Sequence, residues 1–205
     1  MKLYFSPGTC SLSPHIVARE LGIDLTLVKV DLASKKTADG RDYVAINPKG
    51  YVPALELDDG QILTEGTAIV QYLADQDPGG RLAPRSGTIE RYRLQEMLAY
   101  LGTELHKTFG PLFRPGVSPE VRAESVAYLA KRYAPIERQL AGGAWLFGED
   151  FTIADAYLFV VTSWAGMVNV DLTSFPNLRA FQSRAAARPA VRGAMVAEGL
   201  LVAGA

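Results

Sequence analysis

The sequence predicts a small α/β domain followed by an all-α domain. Three observations carry this reading. The first 32 residues run strand, helix, strand with short links; two apolar runs flank Asp59-Gly60 as in a hairpin; and beyond Gly87 no convincing strand appears. At 205 residues the chain suits one or two domains and can bury a substantial core.

Taken in order, Lys2 to Ser6 (KLYFS) is a short aromatic-rich strand broken by Pro7-Gly8. Leu12, Ile16, Val17 and Leu21 then recur at helical spacing, with Ser11 as the expected N-cap, Pro14 tolerated in the first turn and Gly22 as the C-cap. LTLVKVDL from Leu25 is a second strand, and a strand-helix-strand with short links implies a right-handed parallel unit. Ala33 to Gly50 reads as a polar loop closing in the turn signal NPKG. ALELDDGQIL from Ala54 supplies the hairpin, and Ala68, Ile69, Tyr72 and Leu73 give a helix ending near Asp75. The expected product is a mixed four-stranded sheet with helices over residues 1–80.

The segment DPGGRLAPRSG, Asp77 to Gly87, separates this from a second domain over residues 87–205. There Leu94, Met97, Leu98, Leu101 and Leu105 mark a long amphipathic helix. Val121 to Leu140 is another, Ala154 to Met167 is nearly all apolar and central, and two short helices follow around Phe175–Ala187 and Ala190–Glu198.

Composition narrows the function. Hydrophobic residues at 48% and charged residues at 21% are ordinary globular chemistry, and 21 basic against 22 acidic side chains argue against nucleic acid as the main ligand. The segment MKLYFSPG lacks the apolar stretch of a signal peptide. AYLFVVTSWAGMVNV from Ala156 is too interrupted for a membrane span. With a single cysteine the chain reads as soluble and cytoplasmic. Two histidines and one cysteine do not make a closed zinc site, so no metal is expected, and neither phosphate-loop motifs nor G-x-S-x-G occur.

What remains is chemistry on a thiol, or none. Cys10 lies in SPGTCSLS, at the carboxyl end of the first strand and just before a helix, where the dipole and backbone amides favour a thiolate. Cys10 to Ser13 is C-x-x-S: thioredoxin-like proteins carry a resolving cysteine where Ser13 stands. An outside thiol such as glutathione would therefore have to complete a redox cycle. The bland alternative is a cysteine packed beneath a helix cap.

MKLYFSPGTCSLSPHI, NPKGYVPAL, LTEGTAIVQYLAD, ELHK and FTIADAYLF together resemble the bacterial beta class of cytosolic glutathione transferases, in register from residue 1 to about 200. The resemblance implies a thioredoxin-like domain plus an all-helical domain that contributes the electrophile site. It implies glutathione as co-substrate and a homodimer. Val52-Pro53 resembles the family's cis-proline turn, with the Val52 backbone pairing with the cysteinyl unit. Glu65 and Gly66 open a helix whose amides hold the γ-glutamyl carboxylate, with the Glu65 carboxylate on the ammonium. Lys35 matches the cation for the glycyl carboxylate. Thr103, Glu104 and His106 match positions near the ligand, some contacts in the family coming from a partner subunit, and His106 joins Cys10 as a catalytic candidate. The electrophile site is expected beside Phe109, Phe113 and Trp164. Thr152-x-x-Asp155 after Phe151 resembles a capping box, and His15 is read as structural.

Each of these residues has a plainer reading without the family. Lys35 beside Lys36 is a solvated loop, Glu65 a helix-start acid, and His106 a surface histidine off the Leu98-Leu101-Leu105 face. The sequence departs from the family at Ala99, where beta-class proteins commonly carry an Asn that contacts ligand.

The expected function is transfer of reduced glutathione to hydrophobic small-molecule electrophiles. Two alternatives stay open: a glutathione-dependent thiol reductase or dehalogenase using Cys10 as redox centre, and a non-catalytic binder of hydrophobic ligands.

Overall fold

A computed structural model describes residues 1–202. The chain forms two compact units, Met1–Gly80 together with the segment from Ala187 onward, and Arg81–Ala186.

In the first unit, β1 (Lys2–Phe5), α1 (Leu12–Leu21) and β2 (Thr26–Asp31) make the expected parallel unit, with Leu3 opposite Leu27 and Tyr4 opposite Val28. Gly22 terminates α1 in the left-handed region at φ 72°, and the Ile23 N–H closes on the Ala18 carbonyl. β4 (Ala54–Glu56) pairs antiparallel with both β1 and β5 (Ile62–Thr64). The β4–β5 link turns at Asp59-Gly60, where Gly60 sits at φ 84°. α3 (Gly66–Ala74) follows.

The polar stretch 33–50 is more than the expected loop. It contains a two-residue strand, β3 (Lys36–Thr37), antiparallel to β2, and a one-turn helix, α2 (Tyr43–Ile46), capped by Asp42. Among the described residues the sheet therefore has five strands rather than four, in the order β3-β2-β1-β4-β5. β3 is held by pairing with β2 and by the Thr37–Arg41 backbone bond. Such a short strand carries no periodicity a sequence could reveal.

Side chains alternate across β1. Tyr4 enters a cluster with Val30, Tyr43, Val52 and Ala54, all buried. α1 and α3 pack against one another. Ser11 does not cap α1 with its side chain as expected. Its backbone is already helical and its hydroxyl turns back to the Ser6 carbonyl at 3.1 Å and to Thr9 Oγ1 at 2.8 Å.

The second unit is helical throughout its regular elements. α4 (Ile89–Tyr100) starts at Thr88, whose hydroxyl accepts from the Arg91 N–H. It does not run on as one regular amphipathic helix. Residues Leu101–His106 wind as a π-helical stretch, in which the Lys107 N–H reaches five residues back to the Gly102 carbonyl. The short α5 (Lys107–Phe109) and a 3-10 turn (Pro111–Phe113) follow. Next come α6 (Pro119–Leu140), α7 (Ile153–Met167) and α8 (Pro176–Ala186). α7 is buried along almost its whole length, as its apolar composition requires, and packs on α4 and α8.

One boundary differs from expectation. α9 (Pro189–Ala197), assigned by sequence order to the helical domain, packs on α1 and belongs to the first unit. Gly193 lets it approach closely: a Cβ there would meet the Arg19 guanidinium at 2.6 Å.

Candidate functional site

Cys10 is partly exposed at the turn between β1 and α1. Around it the backbone donors are largely spoken for. Leu12 N–H bonds to the Thr9 carbonyl, Ser13 N–H to the Cys10 carbonyl and Ser11 N–H to Thr9 Oγ1, and Pro14 has none. These three amides are thus engaged within the turn itself. Cys10 Sγ donates to the Val52 carbonyl at 3.3 Å, a hydrogen bond that a thiol makes and a thiolate does not.

Val52 is fixed by what surrounds it. The Val52–Pro53 bond is cis. Just before it, the Tyr51 carbonyl accepts from Tyr43 Oη and from Asn47 Nδ2, each at 2.8 Å, so α2 anchors the turn from below. Lys35, at φ 56°, donates through Nζ to the Gly50 carbonyl at 2.9 Å, and its ammonium lies 5.8 Å from the centroid of the Tyr51 ring. At the start of α3, Glu65 adopts φ 70°, ψ 114°, a region that L-residues avoid at a cost of about 1–3 kcal/mol. Such strain gathers at functional positions. Glu65 Oε1 accepts from Lys49 Nζ at 2.7 Å, and Lys49 also donates to Thr64 Oγ1 at 3.0 Å. Gly66 faces Pro53, which a Cβ would meet at 3.6 Å, an ordinary contact. Cys10, Lys35, Val52, Pro53, Glu65 and Gly66 thus converge on the loop 47–53 and the α3 N-terminus.

In the helical unit, the π-helical stretch carries Thr103, Glu104 and His106. His106 Nδ1 lies 2.6 Å from the Tyr157 hydroxyl, and its ring meets Trp164 edge-on at 4.8 Å. Phe109 and Phe113 lie 5.7 and 5.8 Å from the same indole. Phe109 is fully buried and backs the cluster, whereas Phe113 is 45% exposed and presents an apolar face. Thr103 donates to the Ala99 carbonyl at 3.0 Å, so a backbone contact occupies it at the site of the departure from Asn. The Glu104 carboxylate is drawn to α6, accepting from Tyr128 Oη at 2.6 Å and pairing with Arg132 Nε at 2.8 Å. Asp155 accepts from Thr152 and from the Leu146 N–H inside the protein, so it serves the fold, as expected. His15 is buried and paired with Glu198.

Two family models match the chain: the glutathione S-transferase N-terminal domain over residues 8–76 and the C-terminal domain over residues 101–189. The chain belongs to the glutathione S-transferases. Glutathione S-transferase GstA of Escherichia coli O157:H7 is 50% identical over 200 residues, covering 98% of this chain and all of that one. The ternary complex of BphK, a bacterial glutathione S-transferase, superposes with a TM-score of 0.95 at 55% identity, covering 98% of this chain and 100% of the other. The bacterial beta-class glutathione S-transferase of Sphingomonas chungbukensis gives 0.94 at 47% identity, again over 98% and 100%. This is accordingly a glutathione transferase of the bacterial beta class, with a thioredoxin-like unit and a helical one. Glutathione is its co-substrate.

Sequence reading missed two residues of this transferase. Lys49 stands in the NPKG turn, and its partner Glu65 lies 16 residues on. Tyr157 sits in a uniformly apolar helix and meets His106 across 51 residues. No local pattern marks either.

Proposed function

We propose that reduced glutathione lies extended along the loop 47–53, with its cysteinyl unit on the Val52 backbone and its sulfur beside Cys10. Its γ-glutamyl head meets the α3 N-terminus and Glu65, and its glycyl carboxylate meets Lys35. The contact that carries this reading is Cys10 Sγ to the Val52 carbonyl at 3.3 Å, since a cysteinyl peptide paired with Val52 must bring its sulfur alongside Cys10. Gly66 and Thr67 precede the first amide of α3 that bonds back to the Glu65 carbonyl, that of Ala68, and amides at such a position suit a carboxylate. The second substrate is a hydrophobic small-molecule electrophile, taken beside Phe113 and Trp164 and oriented by His106. Catalysis then rests on positioning and on stabilising the peptide thiolate.

The active form is a homodimer in the cytoplasm. Tyr51, Ile89 and Tyr92 are 73%, 62% and 59% exposed, large apolar surface that self-association would cover. Among the described residues no helix is long and apolar enough to cross a membrane.

The partial exposure of Cys10 at the β1–α1 turn favours a second reading, thiol transfer through that sulfur once its proton is released. Attack of the Cys10 thiolate on oxidised glutathione would form a Cys10–glutathione disulfide and release one reduced glutathione. Calorimetric titration with reduced glutathione, and assays of wild type and Cys10→Ala with an aryl halide and a disulfide substrate, separate the readings. Binding of glutathione, with aryl conjugation retained in Cys10→Ala, is expected for the first. Loss of only the disulfide activity, with a wild-type mass adduct removed by dithiothreitol, supports the second. No detectable glutathione binding defeats both.

A further inference from the structure

Lys49 pairs with Glu65 at 2.7 Å beside the N-terminus of α3. Its geometry is built rather than incidental. The Lys49 N–H is held by Asn47 Oδ1 at 3.2 Å, and Asn47 is itself buried and tied to the Tyr51 carbonyl. The ammonium is then fixed at two points, Thr64 Oγ1 and Glu65 Oε1. Glu65 meets it from a strained backbone conformation. The loop thus sets a cation against the carboxylate that opens α3.

That cation changes what the carboxylate can recognise. Alone, Glu65 would attract any amine. With Lys49 at 2.7 Å its field is partly offset, so a ligand bearing only an ammonium gains less. A ligand bearing an ammonium and an adjacent carboxylate regains the difference, because its anion sees Lys49 while its cation sees Glu65. The arrangement complements the zwitterion of a free α-amino acid head group.

Resting on the glutathione reading above, we propose that Lys49 is a specificity residue: with Glu65 it makes a dipolar reader that demands the free α-carboxylate of the γ-glutamyl head and rejects ligands offering only an amine. The pair is about half exposed, so the effect is modest and screened by salt. An exposed ion pair of this kind corresponds to a factor of up to about fivefold in affinity.

The test is calorimetric titration at low ionic strength of wild type, Lys49→Met and Lys49→Arg. Three probes are used: glutathione, its analogue lacking the α-carboxylate (4-aminobutyryl-cysteinyl-glycine) and its analogue lacking the α-amino group (glutaryl-cysteinyl-glycine). Lys49→Met is expected to weaken glutathione and the glutaryl analogue yet strengthen the 4-aminobutyryl analogue, changing the ratio of the first to the last about fivefold. Lys49→Arg retains the wild-type order. A merely structural lysine would move all three probes by one factor in one direction, and that result, or no change beyond about twofold, overturns the proposal while leaving glutathione binding intact. Failure of wild type to bind glutathione instead removes the reading beneath it.

Discussion

A thiol that donates to a carbonyl keeps its proton engaged until another donor takes that acceptor. Cys10 and the Val52 carbonyl are in that relation, and the backbone N–H of a bound cysteinyl unit would compete for the same oxygen. His106 is constrained in a comparable way. With Nδ1 beside the Tyr157 hydroxyl and the ring packed on Trp164, its tilt is decided by neighbours. Tyr157→Phe removes that bond while keeping the ring, which is buried. We expect conjugation kcat to fall about two- to tenfold, the worth of one hydrogen bond, with KM for glutathione little changed. Steady-state kinetics would show it; an unchanged kcat would mean that the phenol does not orient the imidazole.

Elements in this protein are fixed by short polar clamps at their ends. α2 holds the turn before Pro53 through Tyr43 and Asn47, and Thr152 with Asp155 caps α7, the most buried helix. Burial pushes the Asp155 carboxyl up to about 6, while donors from Leu146 and Thr152 pull the other way. The folded protein therefore holds this proton more tightly than the unfolded chain does. The group's contribution to stability is complete below its ordinary value of 3.8 and is lost as pH rises through about 6. Relative to Asp155→Asn, which does not titrate, wild type should lose stability between pH 4 and 6.5 and run parallel above that range in urea unfolding. A difference that stays level from pH 4 to 7 would contradict the shift. Asp155→Ala removes the acceptor of three donors and should cost about 3 kcal/mol at neutral pH.

Across the whole molecule, the C-terminal segment completes the unit that the N-terminus begins. Glu198, buried after α9, accepts from the Gly8 N–H at 3.1 Å and meets His15 Nδ1 at 3.0 Å, and Arg188 grips Glu20 through two nitrogens. The turn that carries Cys10 thus depends on residues 190 positions away. Glu198→Ala should lower unfolding stability by about 2 kcal/mol and raise proteolysis near Gly8, whereas an exposed carboxylate would cost almost nothing. The sequence by itself determined whatever neighbours decide. Gly22 ends α1, Asp59-Gly60 turns the hairpin, the apolar run from Ala154 makes a buried helix, and the quoted blocks around Cys10, Val52 and Glu65 mark the transferase. Tertiary structure alone decided the rest. It set Ser11 against Ser6 instead of on the helix, made a strand and a turn of helix from a polar stretch, and gave the last helix to the first unit. It also paired Lys49 with Glu65 and Tyr157 with His106. The physical reason is range. Propensities, caps and turns act within a few residues, whereas a hydrogen bond across 16, 51 or 190 positions exists only once the chain has closed around it.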